Sequence, residues 1–318
     1  MALTRDLAVQ SFQMLLVVLL APLVTGLVRK MKARLLRRRG PPLIQPYREL
    51  IRLLHKEVVL ANNASWLFRA APYLIFAATW VAAALVPTFA TGLMFNWTAD
   101  LIALVALLGS ARFFLALAGM DVGTSFGGIG SSREVMIASL AEPAMIMIVF
   151  SLALLAGTTQ LSGIAQYMLS SNVGLRVTLG LAAISLVMVG IAENARIPVD
   201  NPATHLELTM VHEAMILEYS GRHLALIELS ASLKLLVYLS LIACIFLPWG
   251  MAPARDTWNY FAIGAGAYAA KLVAGCIALA VFETAIAKMR VFRVPAFLGA
   301  ALMLGLLGAL FLFVSRGF

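Results

Sequence analysis

The sequence predicts an all-α polytopic transmembrane bundle of about eight spans, and three observations predict it. The first is composition: 62% of residues are hydrophobic, 12% are charged, and the mean hydropathy is +0.94. Soluble domains run at about 45–50% apolar and about 25% charged, so a water-soluble fold could not hide this much apolar surface. The second is spacing. Apolar runs near the ~20 residues that a helix needs to cross a hydrocarbon core recur along the whole chain. They fall at 7–28, 70–90, 101–120, 134–156, 174–192, 224–247, 259–282 and 295–314. The third is charge placement. Seventeen of the 24 Lys and Arg residues fall in loops on one side of these runs, and three fall on the other. Basic residues collect on the cytoplasmic side of membrane proteins. The rich side is therefore read as cytoplasmic, and both termini as periplasmic, in a cell inner membrane. The formal net charge of +9 needs no nucleic acid to explain it.

The first run is preceded by Arg5 and Asp6, which cancel, and is followed by basic residues. That order suits a retained anchor better than a cleaved leader. Residues 1–318 are read as a single integral membrane domain. Cys244 and Cys276 lie within apolar runs and are expected as buried free thiols. No cysteine cluster suggests zinc or an iron–sulfur centre on this chain.

Two loops on the basic side are long. The loop at 29–69 opens with Arg29, Lys30, Lys32, Arg34, Arg37, Arg38 and Arg39. Gly40, Pro41 and Pro42 then turn the chain. Leu50, Ile51, Leu53 and Leu54, set among Arg48, Glu49, Arg52, Lys56 and Glu57, form an amphipathic stretch. Such a stretch lies along the membrane interface or against a partner. The loop at 193–223 carries Glu193, Asp200, Glu207, Glu213 and Glu218. Spacings of seven and eleven would put Glu193, Asp200, Glu207 and Glu218 on one helical face. Pro198 and Pro202 oppose one continuous helix, so a break followed by a helix from about 203 is expected. Strongly apolar neighbours, among them Leu206, Met210, Val211 and Met215, point to a partly buried acidic chain rather than a solvated loop.

His205, His212 and Glu213 fall short of the zinc-protease pattern, because Ile216 stands where the second histidine is required. The glycines at 123, 127, 128 and 130 read as a loop, with Ser131 and Glu134 as a capping box for the fourth span. No lysine follows them in the phosphate-loop position. Within or at the ends of spans stand Arg112, Glu142, Glu228, Lys234, Lys271 and Glu283. Ionisable groups at membrane depth pair with one another or mark an ion path. Both readings stand here, with proton or ion conduction preferred. Pro143 after Glu142 is expected to break the helix beside that acid and to favour a polar cavity.

These residues carry a resemblance. Arg39-Gly40-Pro41, Gln45-Pro46, Glu49, Arg52, Leu53, Lys56 and Glu57 resemble the first cytoplasmic loop of complex I subunit 1. That family usually has Asp and Lys where Glu49 and Arg52 stand. Glu193, Arg196, Pro198, Asp200, Pro202, Glu207-Leu208 and Glu218-Tyr219-Ser220-Gly221 resemble its acidic third loop, with Ala203 and His205 in place of two acids. Arg112-Phe113-Phe114, Asp121, Gly130-Ser131-Ser132-Arg133-Glu134, Glu142-Pro143, Lys271 and Phe282-Glu283 are similar to the hydrogenase branch, formate hydrogenlyase subunit 4 and hydrogenase-4 component C. The resemblance covers nearly the whole chain.

The resemblance implies a non-catalytic membrane subunit of an oxidoreductase complex. It would anchor hydrogenase-like large and small subunits and a ferredoxin-like iron–sulfur subunit, and join them to antiporter-like membrane subunits. The partners would carry iron–sulfur clusters and a [NiFe] site, and this chain no cofactor or metal. The implied proton pathway uses Glu134 and Glu142, then Glu193, Asp200, Glu207, Glu213 and Glu218, then Glu228, Lys234, Lys271 and Glu283. The implied redox-module interface uses Arg37, Arg38, Arg39, Gln45, Glu49, Arg52 and Arg196. Two alternatives stay open: a quinone-reducing complex with a quinone chamber, and a stand-alone secondary transporter. The repeated halves usual in transporters are not visible in the sequence.

Overall fold

The structure, a computed structural model, describes residues 2–92, 98–169, 177–197, 199, 211–253, 258–287, 289 and 293–316. It is an all-α bundle. Seven helices are long and apolar enough to cross a membrane. They are α1 (Ala2–Leu35), α3 (Trp66–Leu85), α4 (Leu101–Asp121), α5 (Ser125–Ala156), α9 (Gly221–Phe246), α10 (Trp258–Ala285) and α11 (Val294–Arg316). The span expected at 174–192 corresponds to the shorter apolar helix α7 (Val177–Glu193). Shorter helices are α2 (Gln45–Leu54), α6 (Leu161–Leu169) and α8 (His212–Ile216). The two-residue strands β1 (Ala90–Thr91) and β2 (Ala252–Pro253) pair in parallel at the end of the bundle away from the basic loop. Large apolar side chains such as Leu15, Leu19 and Ile184 point outward. Helices of this length with apolar outer faces make the chain a multi-pass membrane protein.

The helices end where local chemistry allows. At 34 residues α1 is about 51 Å long, well beyond a hydrocarbon core of ~30 Å. It closes in a Schellman turn, with Arg38 N–H donating to Ala33 O, Arg37 N–H donating to Arg34 O, and Arg37 left-handed. The same turn ends α7 at Ala195, where Arg196 N–H donates to Ile191 O. Ser65 caps α3 and Asp100 caps α4, each accepting a backbone N–H two residues on.

α5 corrects an expectation. Its cap is Thr124, which accepts from Gly127 N–H, so Ser131 and Glu134 lie inside the helix and form no capping box. Gly127, Gly128 and Gly130 lie in the helix, while Gly123 is left-handed in the turn before it, and at Gly127 and Gly130 a neighbouring backbone passes too close for a side chain. A Cβ on Gly130 would stand 2.9 Å from Val211 O and 3.0 Å from the Ala214 methyl. Ser131 Oγ bridges to α4, donating to Ala116 O at 2.9 Å. α5 also runs unbroken through Pro143, against the expected break.

The acidic loop differs too. Val211 has non-helical φ and ψ and precedes a helix of only five residues. No continuous helix therefore places Glu207 and Glu218 on one face. Leu217 and Glu218 turn outward and are exposed. Tyr219 turns inward, stacks on Phe68 at 4.0 Å, and donates to Phe68 O at 3.0 Å. Burial pushes the Tyr219 phenol well above its usual range. Asp200 and Glu207 lie outside the described residues.

In the core, α11 packs against α5 and α7, α3 against α4 and α9, α4 against α5, and α1 against α9 and α10. This arrangement brings the ends of α7, α9 and α1 together around one polar region.

Candidate functional site: a charged chain leading from a cavity

Arg112 sits on α4 between the buried Leu108 and Leu115, and its side chain is only 3% exposed. A guanidinium so placed needs anions within reach, since an unpaired buried charge is strongly destabilising. It has two. Glu134 Oε1 of α5 lies 3.0 Å from Arg112 Nε, and Glu193 Oε2 at the end of α7 pairs with Arg112 Nη2. The same Glu193 oxygen takes Lys234 Nζ of α9 at 2.8 Å. Four helices thus meet through two cations and two carboxylates.

Glu193 and Lys234 are also part of the wall of a cavity of ≈280 Å³. Glu213 and Glu228 line it as well. So do Arg29 and Lys32 near the end of α1, Arg196 after the α7 turn, and Glu283 near the end of α10. Glu283 is a second node: its Oε2 holds Lys32 Nζ at 2.9 Å and its Oε1 holds Arg196 Nη1 at 3.3 Å. Lys32 is 31% exposed, so this node reaches the surface at the basic-loop end. Burial pushes the Arg196 guanidinium below its usual range, and the Glu283 carboxylate opposes that shift.

On the other side of Glu193 lies a space of ≈10 Å³, close to the size of one water, shared by Glu142, Gly109 and Tyr238. A Cβ on Gly109 would stand 3.4 Å from Glu142 Oε1, so the absence of a side chain there leaves the carboxylate room. The groups form one series: Lys32, Glu283 and Arg196, then the cavity with Glu213 and Glu228, then Lys234, Glu193 and Arg112, ending on Glu134, with Glu142 across the small space from Glu193. Carboxylates linked by cations and a hydratable cavity can pass protons or hold a cation.

Most of the pathway residues expected from sequence therefore come together, with four left out. Glu218 is exposed at the surface. Lys271 of α10 has no carboxylate within ion-pair distance among the described residues. Asp200 and Glu207 are not described. Of the interface residues, Arg37, Arg38, Arg39 and Arg52 are exposed. Glu49 binds α2 to α1 through Arg29 at 3.3 Å and accepts from Gln45 Nε2 at 3.3 Å. Arg196 faces the cavity instead of joining that surface. Sequence reasoning missed Tyr238 and the Lys32–Glu283 pair. Tyr238 was legible as the residue one turn beyond Lys234. The pair joins residues 251 apart, and no local signal carries it.

The profile of the NADH dehydrogenase family matches residues 8–314. This chain belongs to that family. Two relatives of this family member come from Escherichia coli strain K12. Formate hydrogenlyase subunit 4 is 32% identical over 283 residues, which is 89% of this chain and 91% of that protein. Hydrogenase-4 component C is 36% identical over 240 residues, covering 76% and 75%. An NADH-quinone oxidoreductase subunit from Paraburkholderia xenovorans strain LB400 is more distant, 28% identical over 67% of this chain and 63% of that protein. A chain in the solved structure of the membrane-bound sulfane sulfur reductase, an archaeal respiratory membrane complex, superposes with a TM-score of 0.80. It covers 97% of this chain and 98% of that one at 19% identity, a likeness of fold. The resemblance read from the loop motifs and the family assignment agree.

Proposed function

We propose that this chain is the membrane anchor and coupling subunit of a redox-driven, proton- or sodium-translocating, hydrogenase-like complex. It links a peripheral electron-transfer module to antiporter-like subunits. One observation carries the reading: a series of ion-paired carboxylates and cations that starts at the basic-loop end and runs through the cavity into the bundle. A purely structural bundle has little reason to keep so many charges at membrane depth, since each is costly there. The names of the relatives support a hydrogenase-type assembly. The partners proposed are hydrogenase-like large and small subunits, a ferredoxin-like iron–sulfur subunit and antiporter-like membrane subunits. Iron–sulfur clusters and nickel would belong to them. The test is purification of the intact complex from native membranes, with a subunit inventory and metal analysis. The expected result is copurification with iron and nickel proteins. A chain that purifies alone and transports a solute by itself would replace this reading with the secondary transporter.

The exposed arginines after α1 are proposed to face the peripheral module. Replacing Arg37, Arg38 and Arg39 with Gln should leave the membrane part assembled. The peripheral subunits should then wash off at a salt concentration severalfold below that needed for wild type, since exposed charges are screened within about 10 Å at ~0.1 M salt. Equal resistance to washing would leave these residues with topology alone.

The topology proposed is eight crossings, with α7 as the fifth and both termini periplasmic. A reporter fused after Phe318 should then be active only as a periplasmic one. Cytoplasmic activity would mean that one of the eight helices does not cross.

A further inference from the structure

Lys271 lies in the middle of α10. It is 11 residues from Tyr260 and 14 from Ala285, the ends of the apolar stretch. At 1.5 Å per residue that is about 16 and 21 Å. A lysine stem reaches ~6 Å, so an ammonium at this depth cannot snorkel to headgroups ~15 Å from the midplane. Within the described residues no carboxylate pairs with it. Its titratable neighbour is the buried Cys244 thiol, which supplies no charge in its ordinary state.

The helix itself is under-packed. Its main packing partners are α1 and α9. Only 22% of its apolar stretch is buried, the smallest share among the seven long apolar helices. The buried stripe runs through Tyr268, Leu272, Cys276 and Ala280. Lys271 stands at the border of the opposite, exposed face. Its neighbours toward that face are Ala267, Ala274 and Ala278, at i−4, i+3 and i+7.

We propose that this outward face of α10 docks a transmembrane helix of a partner subunit that carries a carboxylate level with Lys271. The lysine is what points to the occupant, because an intramembrane ammonium that cannot reach water or headgroups needs an anion brought to it. The small side chains at 266, 270, 274 and 278 let another helix backbone come close enough to deliver one. A second copy of this chain does not fit. The sole acid of α10 is Glu283, twelve residues on and already held by Lys32 and Arg196. Two such faces would set lysine against lysine. The inference rests on the proposed function only in taking the chain to work within a membrane assembly.

The test uses the intact complex in native membranes, with the photoreactive residue benzoylphenylalanine in place of Ala270 or, separately, Ala274. Irradiation should give one protein adduct. Its mapped peptide should be a transmembrane segment with Asp or Glu within about one turn, ~4 residues, of the cross-link. Lys271→Glu should lower recovery of that partner by about tenfold, a loss expected when like charges replace a desolvated pair. Changing the partner's acid to lysine in the same strain should restore it. Adducts to lipid alone, to a second copy of this chain, or to a helix without an acid at that level would each overturn the inference. So would undiminished recovery of the partner with Lys271→Glu. An acid-bearing helix captured in a complex that lacks redox subunits would keep this inference and remove the proposed function. Lipid adducts alone, in a complex that keeps its redox module, would do the reverse.

Discussion

Arg112→Met should remove most of the protein from the membrane. The side chain holds α4 to α5 and α7 through Glu134 and Glu193. Taking one partner from a buried ion pair costs about 3–5 kcal/mol, because the other charge is left without compensation. That is a large part of the stability of an ordinary domain. After the change Glu193 keeps Lys234, but Glu134 has no cation within ion-pair distance among the described residues. Steady-state chain levels, read by immunoblot of membranes, should fall by about tenfold or more, the ratio that ~1.4 kcal/mol already produces. The double change Arg112→Met with Glu134→Met should recover much of the loss, since it leaves the Glu193–Lys234 pair balanced. Replacing both members of a buried pair by apolar residues of similar volume is often neutral or better. Wild-type levels of the single Met variant would show that Arg112 does not hold the helices together.

Glu193→Gln should act on coupling rather than on assembly. One oxygen of Glu193 receives both Arg112 and Lys234, and the residue borders both the large cavity and the small space beside Glu142. Among the described residues it is the one that lines both spaces, so an ion path from the cavity to Glu142 would pass it. Glutamine keeps the size and one acceptor oxygen but neither titrates nor balances charge. Arg112 retains Glu134, and Lys234 retains the cavity that it shares with Glu228, so the penalty on folding should be smaller than for Arg112→Met. The expected result is a complex with its full set of subunits that passes electrons to an artificial carrier while ion movement drops by about tenfold or more. That range matches what removal of a positioned acid–base group does to rate. Assembly with wild-type ion movement would take Glu193 out of the path. Loss of the chain from the membrane would assign it to the scaffold that Arg112 serves.

The two variants divide a question that the residues alone leave open. Charges at membrane depth are read from sequence as either ion pairs or an ion path. Here Arg112, Glu134, Glu193 and Lys234 are ion-paired, and Glu193 and Lys234 also line a cavity. A pair and a path use the same side chains, so only the loss that each variant causes separates them.

Fold class, span positions and the amphipathic α2 were all legible in the chain of residues. They follow from hydropathy summed over about 20 residues and from the helical period, both of which are local quantities. Most of the site was marked as well, because an ionisable residue inside an apolar run is conspicuous wherever it stands. The misjudged features depended on neighbours distant in the chain. Gly127, Gly128 and Gly130 read as a loop, yet they lie in α5, where Gly127 passes close to the Gly119 carbonyl of α4 and Gly130 close to the Val211 carbonyl and α8. Glu207 and Glu218 read as one helical face, yet the turn at Val211 and the inward stacking of Tyr219 on Phe68 leave Glu218 exposed. Which charge meets which was set by the packing of the helices. Lys32 finds Glu283 across the whole chain, and Arg196 reaches the cavity because Ala195 ends α7 in a left-handed turn. Among the described residues Lys271 stands apart from any carboxylate, on a helix that packs little of its surface against the rest of the bundle. Partner choice among buried charges follows the distance between helices, and that distance is a property of packing, which no local window of the sequence contains.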